Sequence, residues 1–196
     1  LGATYGGVIF AESSRRVTAD YAKIIFEAAP ALKRVGVVGR QGTANLVRAA
    51  RGADLDVLQL HGAFTTGDIG ELRQEFDGEI WAVLGIAHDS PDLPVGWDEL
   101  ADVTDALLLD TSVAGASGGT GRAFDWSLIA TKMRSATADI RIALAGGLNP
   151  ANVAKAIALM QPAIVDVSSG VEVAPGLKDH SLMDAFARSV RSASIV

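Results

Sequence analysis

Seven short apolar runs rich in Val, Ile and Leu recur along this chain, and stretches with helical spacing of apolar residues separate nearly all of them. That alternation is the pattern of βα units around a parallel sheet. The runs predict strands near Tyr5 to Phe10, Val35 to Val38, Val57 to Leu60, Ile80 to Leu84, Ala106 to Leu109, Ile142 to Ala145 and Ile164 to Val167. Helix starts are predicted at Thr18, Thr43, Asp125, Asn149 (before Pro150) and Asp179, each a residue type whose side chain can accept a free N–H of the first turn. The strands are continuously apolar rather than alternating, so both sheet faces need cover, one by helices and the other by a barrel interior or a second helical layer. No linker or low-complexity segment interrupts the 196 residues, which predicts a single domain over 1–196.

Two of the strand-to-helix turns are unusual. Ala145-Gly146-Gly147-Leu148-Asn149-Pro150 follows the sixth run, and Asp166-Val167-Ser168-Ser169-Gly170-Val171-Glu172 follows the seventh, closed by Pro175-Gly176-Leu177-Lys178-Asp179. Glycine and serine leave backbone N–H groups accessible at such turns, and N–H groups at helix starts attract a phosphate dianion. One such turn is most simply a tight connection, with glycine supplying positive φ. Two in adjacent positions point to phosphate binding at Gly146, Gly147, Ser168, Ser169 and Gly170. Asp166 lies within the last run, where an unpaired carboxylate would be costly to bury; it is either a hydrogen-bonded structural group or a ligand for substrate hydroxyls.

Charge narrows the classes of partner. The formal net charge is -6, and the 17 Lys and Arg residues are scattered, which leaves no electrostatic footprint for nucleic acid or an anionic membrane. No apolar run reaches the roughly 18 to 20 residues of a membrane span, and the N-terminus lacks the regions of a signal peptide. The absence of Cys removes disulfides and thiolate metal sites and fits a cytoplasmic setting.

Several motifs, in order, resemble phosphoribosylanthranilate isomerase: Tyr5-Gly6-Gly7-Val8-Ile9-Phe10, Ser13-Ser14-Arg15-Arg16-Val17, Leu58-Gln59-Leu60-His61-Gly62, Leu109-Asp110-Thr111, Gly118-Gly119-Thr120-Gly121, Phe124-Asp125-Trp126 and the two turns above. The resemblance extends from the first residue to about Asp179. It implies a (β/α)8 TIM barrel, in which the loops after the last two strands hold phosphate. It further implies an Amadori rearrangement of N-(5-phosphoribosyl)anthranilate to 1-(2-carboxyphenylamino)-1-deoxyribulose 5-phosphate in tryptophan biosynthesis, with no metal or organic cofactor. That chemistry needs an acid for the ribose ring oxygen and a base for the C2 proton.

By this resemblance Asp110 is the acid. A carboxyl at the C-terminal end of an apolar strand also stands where barrels place catalytic groups, although a lone Asp is more commonly a helix cap or a solvated loop residue. Arg15 matches the arginine that recognises substrate, and a planar guanidinium suits the anthranilate carboxylate. Arg16 stays open as an alternative. Gln59 and His61 alternate along one strand and so share a face; the resemblance makes them substrate-positioning groups. His88 and His180 are expected to be surface residues.

The resemblance has one gap. The family opens with a strand ending in a cysteine, its general base, followed by a helix, whereas this chain has no cysteine and opens on the match to the second strand. A strand, a helix and their loops take about 20 to 25 residues. The first βα unit is thus expected to be absent from the 196 residues, leaving Tyr5 to Phe10 and Ile164 to Val167 without the strand that would bridge them. Such a chain alone should self-associate and be inactive until upstream residues are restored. Other readings stay open: a catalytically incomplete phosphate-binding barrel, an isomerase module fused to indoleglycerol-phosphate synthase, or a sugar-phosphate isomerase that uses two carboxylates.

Overall fold

The computed structural model describes residues 1–89, 91–112, 123–134 and 140–193. Strands and helices alternate as the apolar runs require: β1 (Tyr5–Ile9), α1 (Ala19–Glu27), β2 (Lys33–Val38), α2 (Thr43–Gly52), β3 (Val57–Leu60), α3 (Thr66–Arg73), β4 (Glu79–Ala87), α4 (Trp97–Val103), β5 (Ala106–Ser112), α5 (Trp126–Arg134), β6 (Ile142–Leu144), α6 (Val153–Met160) and β7 (Ile164–Val165). A hairpin of β8 (Glu172–Ala174) and β9 (Leu177–Lys178) precedes the last helix, α7 (His180–Ala193). The strand order of the main sheet is the chain order, β1 to β7. This is the winding of a (β/α)8 barrel, seven βα units of it among the described residues.

The chain forms two compact units, Gly2–Val83 with Asp98–Ala106 and, besides Leu1, Leu84–Trp97 with Leu107–Val196. In the first, β1, β2, β3 and β4 pair in parallel in that order. Every residue of β3 is buried, and Leu58, Leu60, Ile69, Leu72 and Ile80 anchor the core beneath α2 and α3. At the start of β4 the Asp105 carboxylate accepts from the Ile80 N–H at 2.7 Å and from the Arg73 guanidinium at 2.5 Å. In the second unit β5, β6 and β7 pair in parallel, and Leu107, Leu108, Leu109, Ile129 and Leu144 are fully buried.

Thr18, Asp125 and Asp179 cap their helices as expected: the Thr18 hydroxyl accepts from the Tyr21 N–H, the Asp125 carboxylate from Leu128, and the Asp179 carboxylate from Ser181 and Leu182. Two starts differ. The cap of α2 is Gly42 and Thr43 is its first helical residue, because the Gly42 C=O already accepts from Asn45 and Leu46. Helix α6 begins at Val153 rather than at Pro150, since the Asn149 side chain accepts the Ala151 N–H and folds residues 150–152 into a separate turn.

The strands also differ from expectation in length. β5 continues to Ser112, which puts Asp110 inside the strand, and β7 shrinks to two residues. The residues expected to lack a bridging neighbour are less covered than β3: Tyr5, Ile9, Phe10, Ile164, Val165 and Val167 are half-buried, while Tyr21 and Ile24 on α1 are each more than half exposed. No helix among the described residues is long and apolar enough to cross a membrane.

Candidate functional site

Asp110 follows three fully buried leucines, and burial of that run fixes the position of its carboxyl. It is itself half-buried. The β5 ladder continues past the last residue of β6, where the Ala145 N–H donates to the Leu109 C=O at 2.8 Å, and so brings Gly146 alongside. A methyl group on Gly146 would lie 2.7 Å from Asp110 Oδ1 and 2.6 Å from Thr111 Oγ1, and would also collide with the Thr111 backbone nitrogen. Asp110 and the first glycine turn are therefore in contact. The cap of the following helix is Asp125, so that role does not fall to Asp110. Thr111 Oγ1 is buried without a hydrogen-bond partner among the described residues, as is Trp126 Nε1. Gly118 to Gly121 lie outside the described residues.

The first turn is held by its own neighbours. Gly146 and Gly147 take φ of 78° and 67°, values open to glycine at little cost. The Gly147 C=O accepts from Asn152 Nδ2 at 2.9 Å, and Asn152 Oδ1 accepts the Asn149 N–H at 2.8 Å. In the second turn the Asp166 N–H donates to the Leu144 C=O, and Ser169–Val171 then form a single 3-10 turn. The turn leads not directly into a helix but into the β8–β9 hairpin, after which α7 starts at His180 behind its predicted cap, Asp179. The hairpin returns the chain, with the Asp179 N–H bonded to the Val171 C=O at 2.8 Å.

Gly170 joins the two turns. A Cβ at that position would overlap the Leu148 carbonyl oxygen and lie 3.2 Å from Asn149 Cα, so only glycine lets the backbones approach this closely. Among the described residues no acceptor takes the N–H of Gly147, Ser169 or Gly170. Lys178 belongs to no recognisable motif of its own, yet its Nζ donates to the Ser168 C=O at 2.9 Å, to Ser168 Oγ at 3.4 Å and to Glu172 Oε1 at 2.9 Å. The Glu172 side chain is only 4% exposed.

Asp166 falls outside the strand in which the apolar run placed it. It lies one residue beyond β7 and retains exposed surface, because that strand is short and pairs with β6 alone among the described residues. Crowding by protein atoms nevertheless raises its pKa above the ordinary aspartate value, against the opposing influence of the Lys178 charge and a backbone hydrogen bond from Val167.

Arg15, Gln59 and His61 belong to the first unit. The turn after β1 is closed by the Ser13 hydroxyl, which accepts the Arg15 N–H at 3.1 Å, and by the Ser13 C=O, which accepts from Arg16. Arg15 is half-buried and Arg16 exposed. Gln59 is buried within β3, and the half-buried His61 extends the ladder by donating its N–H to the Val38 C=O at 2.8 Å. Arg40, absent from the sequence reading, fixes the segment after His61: its guanidinium bonds the Ala63 C=O and the Asp68 carboxylate and lies over the Phe64 ring. Asp68 is held below the ordinary aspartate pKa by the Thr65 backbone N–H, then by the Thr65 hydroxyl and Arg40.

His180 is exposed as expected. His88 is not an ordinary surface residue: its side chain is 26% exposed and Nδ1 donates to the Ala123 C=O at 2.7 Å. Among the described residues no cluster of His, Cys, Asp and Glu is arranged to hold a metal ion.

Comparison with known proteins adds four findings. Residues 1–189 match the family model described as N-(5'phosphoribosyl)anthranilate (PRA) isomerase. The chain is 37% identical over 183 residues to N-(5'-phosphoribosyl)anthranilate isomerase of Haloferax volcanii, covering 93% of this chain and 79% of that protein. It is 39% identical to the tryptophan biosynthesis protein TrpCF of Haemophilus influenzae, covering 91% of this chain and 36% of the other. Among solved structures, phosphoribosyl anthranilate isomerase from Thermotoga maritima superposes with a TM-score of 0.81 at 29% identity, covering 97% of this chain and 89% of that one.

Proposed function

The chain belongs to the N-(5'-phosphoribosyl)anthranilate isomerase family, and we propose that within it Asp110 is the acid and the double turn at Gly146–Gly147 and Ser168–Gly170 the phosphate cradle. The reaction is the isomerisation of N-(5-phosphoribosyl)anthranilate in tryptophan biosynthesis. It opens the ribose ring as the ring oxygen gains a proton, then removes the C2 proton to give an enolamine. The observation that carries the assignment is the contact between Asp110 Oδ1 and the Gly146 turn, which Gly170 in turn joins to the second turn. A proton donor thus adjoins two backbone segments whose N–H groups are unclaimed by described residues, suited to the two ends of a phosphorylated sugar.

The other roles are those that the family resemblance implies. The Arg15 guanidinium binds the anthranilate carboxylate, Gln59 and His61 position the substrate, and Asp166 bonds sugar hydroxyls. We read residues 1–196 as one barrel domain located in the cytoplasm. A single cooperative unfolding transition and recovery in the soluble cell fraction are the expected results.

The test is Asp110→Asn in a chain with its upstream residues restored; the amide keeps size and removes the exchangeable acid proton. We expect kcat to fall by roughly 10² to 10⁴ with KM little changed; a variant that keeps most of the parent kcat would remove Asp110 from the mechanism. Inorganic phosphate should compete with substrate, and purely non-competitive inhibition would count against the cradle. The match to one third of the TrpCF protein supports a second arrangement, in which this chain operates joined to an indoleglycerol-phosphate synthase domain. Sequencing the flanking gene decides it.

A further inference from the structure

We infer that Lys178 is a positioning residue for the phosphate cradle, acting by aiming a backbone N–H rather than by touching the phosphate. The inference rests on the phosphate reading of the second turn. An ammonium group has three N–H donors, and three acceptors surround Lys178 Nζ: the Ser168 C=O and Glu172 Oε1, each at 2.9 Å, and Ser168 Oγ at 3.4 Å. None is left over for a ligand.

What the lysine does to the turn follows from peptide geometry. Across a trans peptide the C=O of one residue and the N–H of the next point in opposite directions, and the chain holds no cis bond among its described residues. The Ser168 C=O accepts the Val171 N–H within the turn at 3.4 Å and, more closely, the Lys178 ammonium at 2.9 Å; by drawing this carbonyl toward the hairpin the lysine turns the Ser169 N–H away from it. The lysine is held in turn by Glu172, whose Oε1 also accepts the Gly176 N–H at 3.2 Å and so ties the hairpin loop to the same group. The hairpin is thus a brace, and its function is to keep the Ser169 N–H facing outward.

The measurement is the affinity for inorganic phosphate, read from the thermal shift it causes, alongside kcat and KM for the phosphoribosyl substrate in the chain with its upstream residues restored. Lys178→Met should weaken phosphate binding and raise KM in parallel, about tenfold, with kcat changed much less. Glu172→Gln separates aiming from simple charge attraction. If Lys178 served as a bare positive charge, neutralising Glu172 would tighten phosphate binding; as a brace it should loosen binding about threefold. Parent-like affinity in folded Lys178→Met, or tighter or unchanged binding in Glu172→Gln, would overturn the inference, and the glutamine variant decides if the methionine variant does not fold. Failure of the parent protein to bind phosphate at all would instead remove the cradle itself.

Discussion

The turn after β6 and the turn after β7 offer backbone N–H groups side by side, yet they are built in opposite ways. The first is local: Gly146 and Gly147 take left-handed conformations, and Asn149 and Asn152, a few residues downstream, close it. The second is tertiary, since Ser168 is held by Lys178 from the far strand of a hairpin, and Gly170 packs against the backbone of the other turn. A turn closed by its neighbours forms as soon as the adjoining strand is in place, whereas a turn braced from ten residues away forms only when the hairpin does. The pair thus joins a locally closed turn to one whose shape depends on a distant ion pair.

Substitutions can break this contrast. The largest effect is expected from Gly170→Ala. Its methyl would overlap the Leu148 carbonyl oxygen, and relief requires the two turns to part, at a cost of about 3 kcal/mol. Phosphate affinity should be lost with the stability, as urea unfolding and a phosphate titration would report; a variant with parent stability would mean that the turns are not tightly joined. Gly147→Ala comes next, because alanine in a left-handed conformation costs about 1–2 kcal/mol. Since the Asn contacts remain, much of the phosphate affinity should survive in the folded protein.

Asn152→Ala probes the local half by removing its bonds to the Gly147 C=O and the Asn149 N–H. A loss of about 1 kcal/mol is expected, with a smaller change in phosphate affinity than Lys178→Met produces. The reverse ranking would show that the local contacts of the first turn matter more to phosphate binding than the brace on the second. The smallest effect serves as a reference in the other unit. Asp68 has a depressed pKa in the folded chain, first because of the Thr65 backbone N–H. Its stabilising contribution is therefore present above the ordinary aspartate pKa and lost as pH falls through the lower folded value. Asp68→Asn should flatten the acid limb of stability slightly and leave phosphate binding unchanged.

The same contrast governs what could be read in advance. The βα order, the positions of the strands in the main sheet and the caps at Thr18, Asp125 and Asp179 were legible in the sequence, because periodicity and capping chemistry act over a few residues. Asp110 and the glycine turns were legible as motifs for a similar reason, each lying where an apolar run ends. The misplaced starts of α2 and α6 show the limit even there: a glycine carbonyl or an Asx turn can shift a helix boundary without changing the pattern.

Tertiary structure decided the rest. The hairpin between β7 and α7 interrupts what reads as one strand-to-helix turn, because β8 and β9 have too few residues to show a period. Gly170 is required by a backbone some twenty residues earlier, while Lys178 matters through a carbonyl, an acceptor that every residue carries and that no side-chain motif records. Asp166, read as part of the last strand, lies one residue beyond it, because the extent of a strand depends on its pairing with neighbours and not on the run that contains it. Local chemistry determined which residues stand at the strand ends; packing between distant segments decided which of their N–H groups and carboxylates face one another.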